Sequence, residues 1–120
     1  MDFQDIIQNI QYAAEDALGR GLDKAADRLL QELSNASPSE SGSPGEPYRD
    51  SWVAQKKSKK YRVISNTKTV TGKGGTQIPL SNILENGGAD GDGLRPHIKK
   101  TFDRLQGELA DIIMDEISFN

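Results

Sequence analysis

Cysteine is absent and histidine occurs once in these 120 residues, so disulfides, thiolate metal sites and histidine-cluster metal sites are excluded. Apolar residues are also scarce. They make up 34% of the chain and aromatics 6%, against about 45–50% apolar residues, glycine counted, in an average soluble domain. The length fits a single domain, residues 1–120, with a thin core of the kind that a partner surface often completes. No run of about eighteen apolar residues occurs, which leaves no candidate membrane span. The opening residues include Asp2 and Asp5 where an export signal carries a basic region, so the reading is a protein made in the cytoplasm.

Charge is plentiful but segregated. Residues 1–46 hold three basic and nine acidic groups, residues 47–73 eight and one, and residues 74–120 four and eight. The middle of the chain is therefore a basic block between acidic ends. Such a block is either a site for an acidic partner or nucleic acid, or a solvated hairpin whose lysines keep a sheet edge from pairing with other chains.

Phe3, Ile6, Ile7, Ile10, Ala14, Ala17, Leu18, Leu22, Ala25, Leu29 and Leu33 step by threes and fours, which predicts an amphipathic helix from about Asp2 to Leu33. At about 1.5 Å per residue this helix outruns the width of so small a domain. Part of it is expected to overhang and meet another subunit. Gly19 and Gly21 each cost about 1 kcal/mol relative to alanine and mark a bend or a close packing against another backbone. Segment 34–47, rich in serine, proline and glycine, predicts a flexible loop. Tyr48 to Gln55 predicts a strand in which Trp52, the only tryptophan, anchors the sheet against the helices. A turn at Lys56–Lys60 leads to an antiparallel strand, Tyr61–Asn66, extendable over Thr67–Val70. A second turn at Thr71–Gly75 precedes a short strand, Thr76–Ile78.

After Pro79, the residues Leu80, Ile83 and Leu84 predict about one helical turn, stopped by Asn86, Gly87 and Gly88. A second flexible loop covers about 87–95. Proline is pre-set for a first helical turn, so Pro96 reads as the first residue of a closing helix, Pro96–Ile117. Ile98, Phe102, Leu105, Leu109, Ile112, Ile113 and Ile117 form its apolar face. The order predicts an α+β fold: a long N-terminal helix, a small antiparallel sheet of two to four strands, and a C-terminal helix packed on the same sheet face.

No catalytic constellation emerges. Gly72-Lys73-Gly74-Gly75-Thr76 has the glycines of a phosphate cradle but neither the spacing nor the following helix, and reads as a hairpin turn. Asp90 and Asp92 lack the further oxygen ligands and terminal glutamate of a calcium loop. His97 and Arg95 have no nucleophile or carboxylate placed beside them by the sequence, so no acid–base pair is assigned.

Three short motifs carry a resemblance: Tyr48-Arg49-Asp50-Ser51-Trp52, the LSNILENGG stretch from Leu80 to Gly88, and Arg95-Pro96-His97-Ile98. In this order and spacing the chain resembles, over nearly its full length, the small neck or tail-completion proteins of long-tailed bacteriophages, siphophages of the gene-product-ten-like head-tail joining family. The resemblance implies a virion structural protein at the head-tail junction, with no enzymatic activity, no cofactor and no metal. It implies a homo-oligomeric ring whose partners are the neighbouring head-connector and tail proteins, with no membrane contact. In such a ring an acidic helix face would meet a neighbour's basic hairpin. Tyr48, Trp52, Leu84, Glu85, Arg95, Pro96 and His97 are the candidates for holding the motif region together, and Lys56, Lys57, Lys59 and Lys60 for charged contact with a subunit or with DNA passing through the neck. For Trp52 and Leu84, plain core packing and a direct interface role both stay open. The alternative function is a small nucleic-acid-binding protein using the basic hairpin 56–62.

Overall fold

Asp2 and Asp5 start the first helix by capping each other's backbone: the Asp5 N–H donates to the Asp2 carboxylate at 2.9 Å and the Asp2 N–H to the Asp5 carboxylate at 3.4 Å. These two carboxylates neutralise donors that the first turn leaves unpaired, at the positive end of the helix dipole. In a computed structural model that describes residues 2–38, 47–86 and 96–118, the helix then runs unbroken as α1, Phe3–Ala36. It extends three residues past the expected end, into the segment read as loop; residues 39–46 of that segment, and the whole of 87–95, lie outside the described residues.

The C-terminal helix, α3, Ile98–Ile117, lies antiparallel along α1. Cross-helix ion pairs fix the register: Arg20 and Lys24 both reach Glu116, Arg28 reaches Glu108 at 2.9 Å, and Arg104 reaches Glu32 at 2.8 Å. Each is a surface pair and contributes little stability. The apolar seam between the helices contributes more. Ala25, Leu105 and Leu109 are its buried centre, with Leu29, Ile112 and Ile113 against them. The α1 side of the seam is built from small residues, with Ala17, Gly21, Ala25 and Ala26 all buried. Gly21 marks close packing against another backbone, the second of the two expectations for the α1 glycines. A Cβ built on Gly21 would lie 2.9 Å from the Ile113 Cα.

Among the described residues four strands follow α1. Strands β1, Trp52–Ser58, and β2, Tyr61–Asn66, form one antiparallel hairpin, with Trp52 opposite Asn66 and Lys56 opposite Arg62. Strands β3, Thr69–Thr71, and β4, Gln77–Pro79, form another. The expected single sheet is thus two two-stranded sheets, and the class is α+β as expected. The division falls at Asn66. Its side chain donates to the Tyr48 carbonyl at 2.7 Å and accepts from the Lys68 N–H at 2.9 Å, while the Thr67 N–H turns to the Ser51 carbonyl. The Asn66 side chain thus occupies the Tyr48 carbonyl and the Lys68 N–H in place of ladder partners, and β2 stops there.

Other boundaries shift for similar reasons. The segment read as strand from Tyr48 begins as a 3₁₀ turn, Tyr48–Asp50, and β1 starts only at Trp52. The lysine turn is narrower than expected, because Lys56 and Lys57 belong to β1 and only Lys59 and Lys60 turn the chain. Between β3 and β4 the chain turns through Lys73–Gly75, where Gly74 and Gly75 have φ of 76° and 81°, values that glycine adopts without strain. A short helix, α2, Leu80–Asn86, follows β4 directly. Helix α3 starts at Ile98, with His97 as N-cap, so Pro96 stands one residue outside the helix rather than within its first turn.

Exposure is uneven. At about 1.5 Å per residue α1 is some 51 Å long, and the chain measures 63 × 29 × 24 Å. Its radius of gyration is 18.8 Å, where a compact chain of this length has about 14 Å. The N-terminal part of the α1 stripe is uncovered: Phe3, Ile6 and Ile10 are 73%, 44% and 58% exposed.

The seam yields a paired prediction. Gly21→Ala should lower unfolding stability by about 1–3 kcal/mol, because the new methyl meets the Ile113 backbone. Gly107→Ala, which meets nothing within 4 Å on α3, should raise it by about 0.5–1 kcal/mol. Urea midpoints of the two variants against the parent chain read the difference.

Candidate functional site

The most ordered polar constellation is a knot around Tyr48. Its local cause is the 3₁₀ turn, held by the Ser51 hydroxyl donating to the Pro47 carbonyl at 2.9 Å and the Ser51 N–H donating to the Tyr48 carbonyl at 3.1 Å. The turn points the Tyr48 ring inward, where it is fully buried. Its hydroxyl is hydrogen-bonded to His97 Nε2 at 2.7 Å. Tyr48, Trp52 and His97 meet edge to face in all three pairings, with ring centroids 5.5–6.2 Å apart. Aromatic rings favour this geometry because the positive edge of one meets the negative face of another.

Each ring is tied to a different element. The Trp52 Nε1–H donates to Ser37 Oγ at 2.8 Å, and Ser37 Oγ donates to the Leu33 carbonyl at 2.6 Å, so β1 is fastened to the end of α1. Arg49 donates to the Ser37 carbonyl at 3.2 Å. From α2, Glu85 places its carboxylate on the start of α3 and accepts from the backbone N–H groups of His97, Ile98 and Lys99 at 2.7, 2.9 and 2.9 Å. The His97 side chain makes no cap of its own. Glu85 therefore does from a distance what a neighbouring serine or aspartate does in an ordinary cap.

The electrostatics follow from this placement. Burial pushes the Glu85 carboxyl up, but the three backbone N–H bonds and His97 outweigh it, and its pKa lies below the ordinary value. Burial pushes the Tyr48 phenol well above its ordinary value, and the Glu85 charge pushes it further. Tyr48 is thus a neutral structural hydroxyl, not an acid or base for chemistry near neutral pH.

Tyr48, Trp52, Glu85 and His97, dispersed over fifty residues, are brought together here. Leu84 is half-buried on α2 and Pro96 is exposed beside His97. Arg95, Asp90 and Asp92 lie outside the described residues. Ser37, Ser51 and Asn66 belong to the same knot; Ser51 stands in the first motif but was not among the candidates, and Ser37 and Asn66 were in no motif, though all three are small polar residues next to an element end, where such side chains bond backbone. The glycine turn from Gly72 closes on itself, with the Gly72 N–H donating to the Thr76 carbonyl at 2.7 Å. Among the described residues no group of three or more histidine and carboxylate side chains is placed to hold a metal ion, and no helix is long and apolar enough to cross a membrane.

The lysine hairpin lies elsewhere, against the acidic side of α1. Arg62, with its side chain only 6% exposed, donates to Asp23 at 2.6 Å, to the Gly19 carbonyl at 3.2 Å and to the Ser58 carbonyl at 2.9 Å. Lys59 lies 3.8 Å from Glu15. Part of the basic block is therefore used within the chain, while Lys56, Lys57 and Lys60 are exposed.

No protein-family model matches the chain, and neither a curated protein nor a solved structure matches it.

Glu85→Ala should cost about 2 kcal/mol, since three first-turn donors lose a charged acceptor. Because the folded pKa of Glu85 is depressed, its contribution is complete above the ordinary carboxylate value of about 4.3 and is lost as pH falls through the lower folded value. Urea titrations of the parent and Glu85→Ala should show a stability gap at neutral pH that narrows on acidification below that value.

Proposed function

We propose that this chain is a structural protein of the bacteriophage neck, joining head connector to tail as a ring-forming subunit. One observation carries the reading: the three motifs of the resemblance, far apart in sequence, supply Tyr48, Trp52, Glu85 and His97 to a single buried knot. Motif residues that build one another's environment behave as a fold signature. The knot joins α1, β1, α2 and α3 and presents no reactive group to solvent, as suits a subunit with a mechanical role. The elongated shape and the uncovered α1 stripe add support, because a chain that leaves apolar helix outside its own core has surface reserved for neighbours.

On this reading the protein needs no cofactor, catalyses nothing, and acts in the virion at the junction of head and tail. Its neighbours there are further copies of itself and the flanking connector and tail proteins. The second reading, nucleic-acid binding by the hairpin, has one observation in its favour, the exposed Lys56, Lys57 and Lys60. Lys59 and Arg62, engaged with α1 carboxylates, weaken it.

Deleting the gene from the phage or prophage that carries it should yield filled heads and free tails that fail to join, visible by electron microscopy. Intact infectious particles would refute the neck role. Replacing Lys56, Lys57, Lys59 and Lys60 with glutamine separates the two readings. Loss of joining places the lysines at a subunit contact, whereas joined particles that leak DNA, or a purified protein whose DNA affinity falls steeply with salt, place them on nucleic acid.

A further inference from the structure

Helices α1 and α3 and strand β2 do not close on one another. Between them runs an open apolar groove of about 340 Å³, with Leu22 and Leu29 on its floor, Ile64 on the sheet wall, and Phe102 and Leu109 on the α3 wall. Phe102 is 44% exposed, although it lies on the apolar face of α3. A groove walled by helices on two sides and a sheet on the third offers apolar surface to the face of a further helix.

The same chain carries an uncovered amphipathic helix. Phe3, Ile6, Ile7 and Ile10 stand at the i, i+3, i+4 and i+7 positions from which such helices anchor in grooves. This segment cannot reach its own groove: it continues α1 in a straight line, and about 28 Å of helix separates Ile6 from Ala25 at the groove floor. We infer that the N-terminal turns of α1 dock into the groove of a second copy, head to tail. This inference deepens the ring reading above and rests on it for the repetition of the contact around a closed assembly.

Charge selects this occupant. From Asp2 to Ala13 the overhang bears two carboxylates, Asp2 and Asp5, and no basic residue. The sheet wall of the groove continues into the hairpin that carries Lys56, Lys57 and Lys60, all exposed. An acidic helix entering beside a lysine hairpin lowers the potential energy of both. Pairing two overhangs stripe to stripe would instead leave the lysines without this acidic partner and the groove open. Donor and acceptor lie on different parts of one chain, so the contact is heterologous and propagates from copy to copy until rotation closes it.

The absence of cysteine gives a clean test. Ile6→Cys together with Gln106→Cys, an exposed position on the groove lining, puts one thiol on the donor and one on the acceptor, too far apart within a chain to bridge. Phe3, Ile7 and Ile10 remain as anchors. Oxidation of the purified full chain, at increasing concentration, should give a ladder of disulfide-linked multimers on a non-reducing gel, while either single cysteine gives no ladder. Adding Phe102→Asp should remove the bands above monomer while circular dichroism shows the helix content kept.

Monomer alone at every concentration overturns the inference. So does a dimer formed as readily by Ile6→Cys alone, which reports stripe-to-stripe pairing, and so does a ladder that survives Phe102→Asp in a folded chain. The ring reading fails separately: a ladder from a protein whose gene deletion leaves particles intact keeps the docking contact and removes the neck role.

Discussion

The carboxylate of Glu85 on the first turn of α3 is the contact on which the arrangement of the chain depends. Helix α3 begins at the His97 N-cap without a capping side chain of its own. Three charge-assisted bonds from α2 fix where α3 starts and which way it points. From that anchor α3 runs antiparallel along α1, and the Gly21 contact and the ion pairs hold it in register. The Tyr48 knot backs the same anchor from the other side, since His97, whose N–H Glu85 accepts, holds the Tyr48 hydroxyl. The strands are attached to this frame through Trp52 and Ser37 and through the Arg62 clamp on α1. The N-terminal overhang and the open groove are what remain when such a small core has been spent on fixing the frame.

The long helices were legible because their signal is periodic and local: apolar residues at threes and fours mark α1 and α3 to within a few residues at each end. The overhang was legible from length alone. What escaped sequence reasoning depends on partners distant along the chain. Tyr48-Arg49-Asp50 has a tyrosine and an extended-looking context, yet it winds into a 3₁₀ turn that the Ser51 hydroxyl and N–H close and that Asn66, eighteen residues on, backs by a further bond to the Tyr48 carbonyl. The same amide ends β2 and splits the sheet in two. Pro96 reads as a first-turn residue by its own backbone preference, but the start of α3 is set by Glu85, and the proline falls just outside.

The site was legible in part. Tyr48, Trp52, Glu85 and His97 could be named from their motifs, but their mutual contacts could not, because no spacing rule links residues 48, 85 and 97. Ser37 and Asn66 carry no motif, and Ser51 stands in one without a role the motif assigns; all three look like ordinary turn residues until the structure shows whose backbone they hold. The lysine hairpin shows the opposite limit: its charge was obvious, but Arg62 turns inward to Asp23 and the exposed Lys59 lies beside Glu15 of the same chain, which composition could not reveal.

The uncovered start of α1 has a thermodynamic consequence. Phe3, Ile6 and Ile10 are exposed, so the first turns of α1 draw less on tertiary packing than the seam does, and their helicity leans on the Asp2–Asp5 cap and on continuity with the rest of α1. Their amides exchange through local opening, at a free energy far below that of the seam between α1 and α3. Any surface that takes hold of this segment must also order it. Association is then linked to helix formation: part of the contact energy offsets lost chain entropy, and the heat-capacity change exceeds what rigid docking of the same area would give. A surface that covers the stripe would therefore hold these turns of helix against fraying.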